Sequence, residues 1–332
     1  MKRREALRNI SALVALMATR PGFKAIAAAQ QQAKLFKIGF LASAPGRSAQ
    51  FEAYTKSLRG VGYIEGKNIA FEYRFPAEGK LDQLPAQAEE LVRLKVDIIV
   101  AIGTVPALAA KNATKTIPIV FTSGGDPVAV GLIDSLARPG GNLTGFSAMA
   151  SELAGKRLEL LKDTVHKLSR VAVLWDPRYG DGTEEWKESQ LPARALGLQL
   201  HSMEVSSADK FESAFKEAIK ARSAALAVTS GSTNTSNHKR IADLALKHRL
   251  PAISRWGDFV DSGGLMSYGA DEAEVYKRVP YLIDRILKGA KPADLPVERP
   301  MGFELVMNFK TVKALGLTIP PIVLMRVTRA VK

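Results

Sequence analysis

Short apolar runs alternate with helical segments along this chain, and the alternation occurs twice. In the first half the runs are 35–41, 69–75, 96–103, 117–123 and 143–147, separated by helical patterns near 48–62, 81–94, 105–114 and 128–136. In the second half the runs are 170–176, 198–205, 224–231, 250–256 and 264–269, with helical patterns at 151–166, 183–196, 207–221 and 235–248. Near-continuous apolar strands of this length, joined through helices, imply a parallel sheet covered on both faces. Two stretches correspond in detail. VDIIVAIGT matches AALAVTSGS, and IPIVFTSGGD matches LPAISRWGD, with proline at the start and Gly-Asp at the end. The spacing predicts two similar doubly wound α/β lobes in tandem, consistent with a chain of 332 residues.

Residues 1–29 have a different character. MKRREALRN is basic, ISALVALMA is apolar, and small residues at Ala27 and Ala29 precede Gln30, the layout of a secretory signal peptide. No stretch is long enough for a transmembrane helix. The absence of cysteine removes disulfides, thiolate metal sites, cysteine nucleophiles and a lipid-bearing cysteine. The formal charge is +14. Residues 1–29 carry six Lys/Arg and one Glu, which leaves +9 in the remainder, spread over runs of mixed sign such as KRLELLKD. That pattern describes solvated helix faces, and no nucleic-acid-binding motif accompanies it.

In an open parallel sheet, ligands bind beyond the carboxyl ends of the strands. The loops there are rich in small polar residues: 42–46, Gly103-Thr104, Thr122 to Asp126, Asp176 to Tyr179, Thr229 to Ser232, and Ser254-Arg255-Trp256. Small residues let a backbone approach a ligand, and the following helices point free N–H groups at it. The candidate ligand-binding residues are therefore Ser43, Gly103, Thr104, Ser123, Asp126, Trp175, Tyr179, Thr229, Ser230, Trp256 and Tyr268. Asp126 has two readings, a cap for a helix starting at Pro127 or a partner for a ligand ammonium. The four aromatic candidates could wall a pocket, whereas Phe36, Phe40, Phe71 and Phe121 lie within strands and read as core. Catalytic signatures are thin. His166, His201, His238 and His248 are scattered and read mainly as solvated, and there is no P-loop, no GxSxG elbow and no spaced metal-ligand set. No catalytic residue, metal or cofactor is expected.

The stretches TIPIVFTSGGDPVAVGLIDSLARPGGNLTGFS and LPVERPMGFELVMNFKTVKALGLTIPPIVLMRV closely resemble a family of ABC-transporter substrate-binding proteins, the tryptophan/tyrosine-type family of type I periplasmic binding proteins. The resemblance runs over roughly 35–329, and NFKTVKALGLTIPP is its most specific segment. It implies two Rossmann-like, doubly wound parallel-sheet lobes joined by three hinge strands. The chain would cross near Phe146-Ser147, near Tyr268-Gly269 and around Met301 to Asn308. The implied division is a signal peptide at 1–29, a first lobe at 34–147 plus 268–296, and a second at 148–267 plus 297–332. It further implies a soluble, monomeric periplasmic protein without a lipid anchor. Such a protein would close on a small organic solute, an aromatic amino acid or related carboxylate, and deliver it to an ABC permease in the inner membrane. Two other classes compete. An exported enzyme in the same cleft would need a converging titratable pair, and a repressor of related fold would need a DNA-binding headpiece that residues 1–30 do not supply.

Overall fold

The first sheet is built from five parallel strands: β1 (Phe36–Ala42), β2 (Ile69–Arg74), β3 (Ile98–Ile102), β4 (Ile119–Ser123) and β5 (Leu143–Ser147), in the order β2-β1-β3-β4-β5. The structure, a computed structural model, describes residues 35–44, 46, 49–77 and 80–332. The expected signal peptide at 1–29 lies outside the described residues. Strand β3, IIVAI, is apolar throughout because both sheet faces are covered. Helices α1 (Ala49–Gly60), α2 (Leu84–Arg93) and α3 (Thr104–Ala113) follow β1, β2 and β3. On one face Phe40, Phe51, Tyr54 and Ile38 pack together; on the other Leu41, Leu91, Ile99 and Phe121 do.

The second sheet repeats this order. Strands β6 (Arg170–Trp175), β7 (Gln199–Glu204), β8 (Ala225–Val228), β9 (Ala252–Ser254) and β10 (Met266–Ala270) run parallel in the order β7-β6-β8-β9-β10. Helix α4 (Ala154–Thr164) precedes β6, and between the strands lie α5 (Gly180–Ala195), α6 (Phe211–Lys220), α7 (Ser232–Thr235), α8 (His238–Lys247) and α9 (Gly257–Asp261). The echo between the halves extends to backbone geometry. Gly103 and Gly231, aligned in the two matched stretches, have φ of 104° and 143° and precede α3 and α7. A left-handed turn of this kind favours glycine, which bears no Cβ.

The chain passes between the sheets three times: after Ser147, after Ala270 and between Glu298 and Phe303. After the second passage, Asp271 accepts the Ala273 N–H and starts α10 (Glu272–Leu287). The apolar face of α10, with Val275, Val279, Leu282 and Ile283, packs into the first lobe's core. After the third, β11 (Phe303–Asn308) enters from the end at which β10 leaves. It therefore runs antiparallel to β10, so the second sheet is mixed at this edge. Asn308 then caps α11 (Phe309–Leu315) by accepting the N–H groups of Lys310 and Thr311, and Gly316, at φ 70°, ends it. These contacts give NFKTVKALG its physical content. A short helix, α12 (Pro321–Leu324), and β12 (Arg329–Val331), parallel to β11, complete the lobe.

One expected helix does not form. Residues 128–136 are turns: after Asp126 the chain makes a single helical turn, and Gly131, at φ 68°, reverses it so that Leu132 and Ile133 enter the core. Among the described residues no helix is long and apolar enough to cross a membrane.

Candidate functional site

The carboxyl ends of both sheets face one cleft of about 560 Å³. In each sheet the strand order reverses between the first and third strands, and the loops that leave there diverge to form a crevice. Ser43, Gly103 and Thr104 come from that point of the first lobe, and Tyr179, Ser230 and Ser232 from that of the second. Ser123 and Gly124 extend the first wall, while Arg255, Trp256 and Asp258 extend the second. Phe51, Phe75, Phe146 and Ile102 supply apolar surface, and Glu272, Val275 and Tyr276 of α10 complete the lining.

Of the residues expected from sequence, Ser43, Gly103, Thr104, Ser123, Tyr179, Ser230 and Trp256 line this cleft. Asp126, Trp175, Thr229 and Tyr268 do not. Asp126 is exposed, and its Oδ1 accepts the N–H groups of Val128 at 2.8 Å and Ala129 at 3.3 Å, which organises the turn. Trp175 donates from Nε1 to Ser202 Oγ on β7 at 2.8 Å and stacks on Trp186 at 5.9 Å. Thr229 is buried and its hydroxyl donates to the Leu174 carbonyl at 3.0 Å. The Tyr268 ring stacks on Phe303 at 6.1 Å within the second lobe. His238 departs from the solvated reading. It is 8% exposed, lines the cleft, meets Phe259 edge-on, and leaves Nε2 without a hydrogen-bond partner. Burial pushes its pKa down to about 4, so the ring is neutral near pH 7.

The group that sequence reasoning passed over is Arg255, the middle residue of the Ser254-Arg255-Trp256 loop. Its guanidinium lies 3.9 Å from the Trp256 ring centroid, and Nη1 donates a long 3.4 Å hydrogen bond to Ser230 Oγ. No carboxylate among the described residues lies within 4.0 Å of it, although Glu185, Asp181 and Glu272 act on it from farther off. Arg255 is partly buried, and that burial lowers its pKa. One face of Trp256 is thereby covered, while its Nε1 has no partner. Glu272 accepts hydrogen bonds from the Gly257 N–H at 3.2 Å and the Tyr276 hydroxyl at 3.1 Å, and burial followed by the nearby Asp258 raises its pKa. Among the described residues no His, Cys, Asp and Glu group is arranged to hold a metal. What the lining offers is a cation, hydroxyls, aromatic surface and carboxylates, a set suited to holding a small planar anion or zwitterion.

A family model described as ABC transporter substrate binding protein matches residues 37–331. The chain belongs to this family. It is 28% identical over 280 residues to a tyrosine-binding protein of Clostridioides difficile, covering 84% of this chain and 80% of the relative. Among solved structures it is similar to an ABC domain in complex with L-Trp from Streptococcus pneumonia, with 25% identity, a TM-score of 0.80, and coverage of 90% of this chain and 100% of that one. A substrate binding protein with adhesive properties from Clostridium difficile, in a ligand-free, open structure, is also 25% identical with the same coverage, but superposes with a TM-score of 0.63.

Proposed function

We propose that this protein is the periplasmic solute-binding component of an ABC importer, released from its signal peptide as a soluble monomer. It closes its two lobes on an aromatic amino acid or a related aromatic carboxylate and delivers it to the permease. The observation that carries this reading is Arg255: a partly buried cation with no carboxylate of the described residues within 4.0 Å, set in a cleft walled by Phe51, Phe75 and Tyr276. A ligand carboxylate would supply the missing partner through charge-assisted hydrogen bonds. Tyrosine and tryptophan, named for two relatives, have this chemistry. Glu272 and Asp258 supply negative charge on the same lining for an ammonium group, a role that Asp126, outside the cleft, does not fill.

Contacts to both lobes favour the closed state, so the function needs a hinge and no covalent step. The test is a thermal-shift screen of L-tyrosine, L-tryptophan, L-phenylalanine and the matching arylpropionates, with aliphatic amino acids as controls. Saturation at a hundredfold excess over Kd stabilises by about 2.7 kcal/mol. Aromatic carboxylates should raise the melting temperature and be recovered unchanged. Turnover of the bound compound would support the exported-enzyme reading, and no response to any carboxylate would overturn the assignment to Arg255.

A further inference from the structure

The lobes meet across the cleft at a second set of contacts that involves protein groups alone. Asp181 and Glu184 sit one turn apart at the start of α5 in the second lobe. Asp181 accepts the Thr104 hydroxyl at 2.5 Å through Oδ1 and the Gly124 N–H at 3.0 Å through Oδ2, both from the first lobe. Glu184 lies against the same loop, and the backbone of Asp126 lowers its pKa, against the larger effect of burial. The loop after β4 is shaped for this approach. A Cβ on Gly124 would lie 2.8 Å from Asp181 Oδ2 and 3.2 Å from Asp181 Cβ, and one on Gly125 would lie 1.9 Å from Glu184 Oε2. Neither glycine has the positive φ that would itself call for glycine. The nearness of α5 crowds both positions, at Gly124 against Asp181 Cβ and at Gly125 against the movable Glu184 carboxylate, and that nearness exists only when the lobes are together.

We infer that Asp181, supported by Glu184, is a positioning clasp that draws the lobes together through first-lobe donors before any solute binds. This rests on the hinge-closure reading but not on the choice of solute. A ligand then enters a protein whose binding-competent state is already populated, which raises its apparent affinity in proportion to that population. The Gly124-Gly125 pair is the complementary half of the clasp.

The absence of cysteine makes the test direct, because a Glu89→Cys, Lys216→Cys pair places one spin label on an exposed site of each lobe. Interlobe distances are measured by pulsed electron resonance on solute-free protein, stripped by unfolding and refolding. The parent pair should show a short-distance population. Asp181→Ala, which removes both acceptors, and Gly124→Ala should each cut the closed-to-open ratio roughly tenfold or more. Thr104→Ser should keep the parent distribution while Thr104→Val loses part of it. A parent pair wholly open without solute, or variants with the parent's distribution, would overturn the clasp. Because no solute is present, either result leaves the ligand assignment to be judged by the thermal-shift screen.

Discussion

Replacing Glu185 by glutamine isolates a single buried charge next to the hinge. Arg157 Nη2 lies 2.5 Å from Glu185 Oε2, and the two side chains are 4% and 2% exposed. The same Nη2 donates to the Ala150 carbonyl at 2.6 Å, and Nη1 to the Tyr268 carbonyl at 3.4 Å, so the guanidinium holds two of the three segments that link the lobes. Glu185 Oε1 accepts the Ser230 N–H at 2.9 Å and thereby fixes a loop that lines the cleft. Burial lowers the Arg157 pKa, and Glu185 opposes that effect. Glutamine keeps the shape and the acceptor for Ser230 but removes the charge, so the guanidinium is left buried and uncompensated. Breaking such a pair from one side costs about 3–5 kcal/mol, dominated by the unpaired ion and not by the intrinsic strength of the bridge. Denaturant unfolding of Glu185→Gln should show a lower midpoint at unchanged slope. Adding Arg157→Met to that variant should recover part of the loss, since no charge then remains. A loss below about 1 kcal/mol for Glu185→Gln would refute the reasoning.

Three further outcomes follow from the same geometry. His238 is held neutral to about pH 4 by burial, whereas an unfolded histidine titrates near 6.5, so protons favour the unfolded chain as pH falls below that value. Between pH 7 and pH 5 wild type should lose roughly 2 kcal/mol more stability than His238→Phe; parallel stability curves would contradict this. Asp126→Asn should leave solute affinity intact and stability within a few tenths of a kcal/mol, because Asn satisfies the same turn N–H groups. A tenfold loss of affinity in that variant would return Asp126 to the site. Protein recovered from the periplasm should have an intact mass that begins at or near Gln30, and retention of Met1 would contradict export through a cleaved signal.

The parallel strands were legible because each is a short apolar run buried on both faces, as in IIVAI of β3. The paired glycines were legible too, since Gly103 and Gly231 occupy matched positions after matched strands. The segment 128–136 misled because its apolar residues have near-helical spacing, and only the left-handed Gly131 breaks it. The place of the site follows from sheet topology, but the direction in which a strand-end side chain points does not. Trp175 turns to β7 and Asp126 turns back on its own loop. Arg255 was hidden for a different reason. Its weight comes from the lack of a carboxylate partner within reach, a tertiary fact that no local pattern encodes. The Gly124-Gly125 pair was visible as a loop; that α5 of the other lobe fills the space above it was not.

Calorimetric titration of the aromatic carboxylate that most stabilises the protein, into wild type and Arg255→Gln, tests the central claim most directly. If Arg255 pairs with the ligand carboxylate, the variant loses about 1.5–3 kcal/mol, or roughly 10- to 150-fold in affinity. The corresponding primary amide, which carries no charge, should bind wild type and variant with similar, weaker affinity. Equal binding of the carboxylate by both proteins would contradict the account.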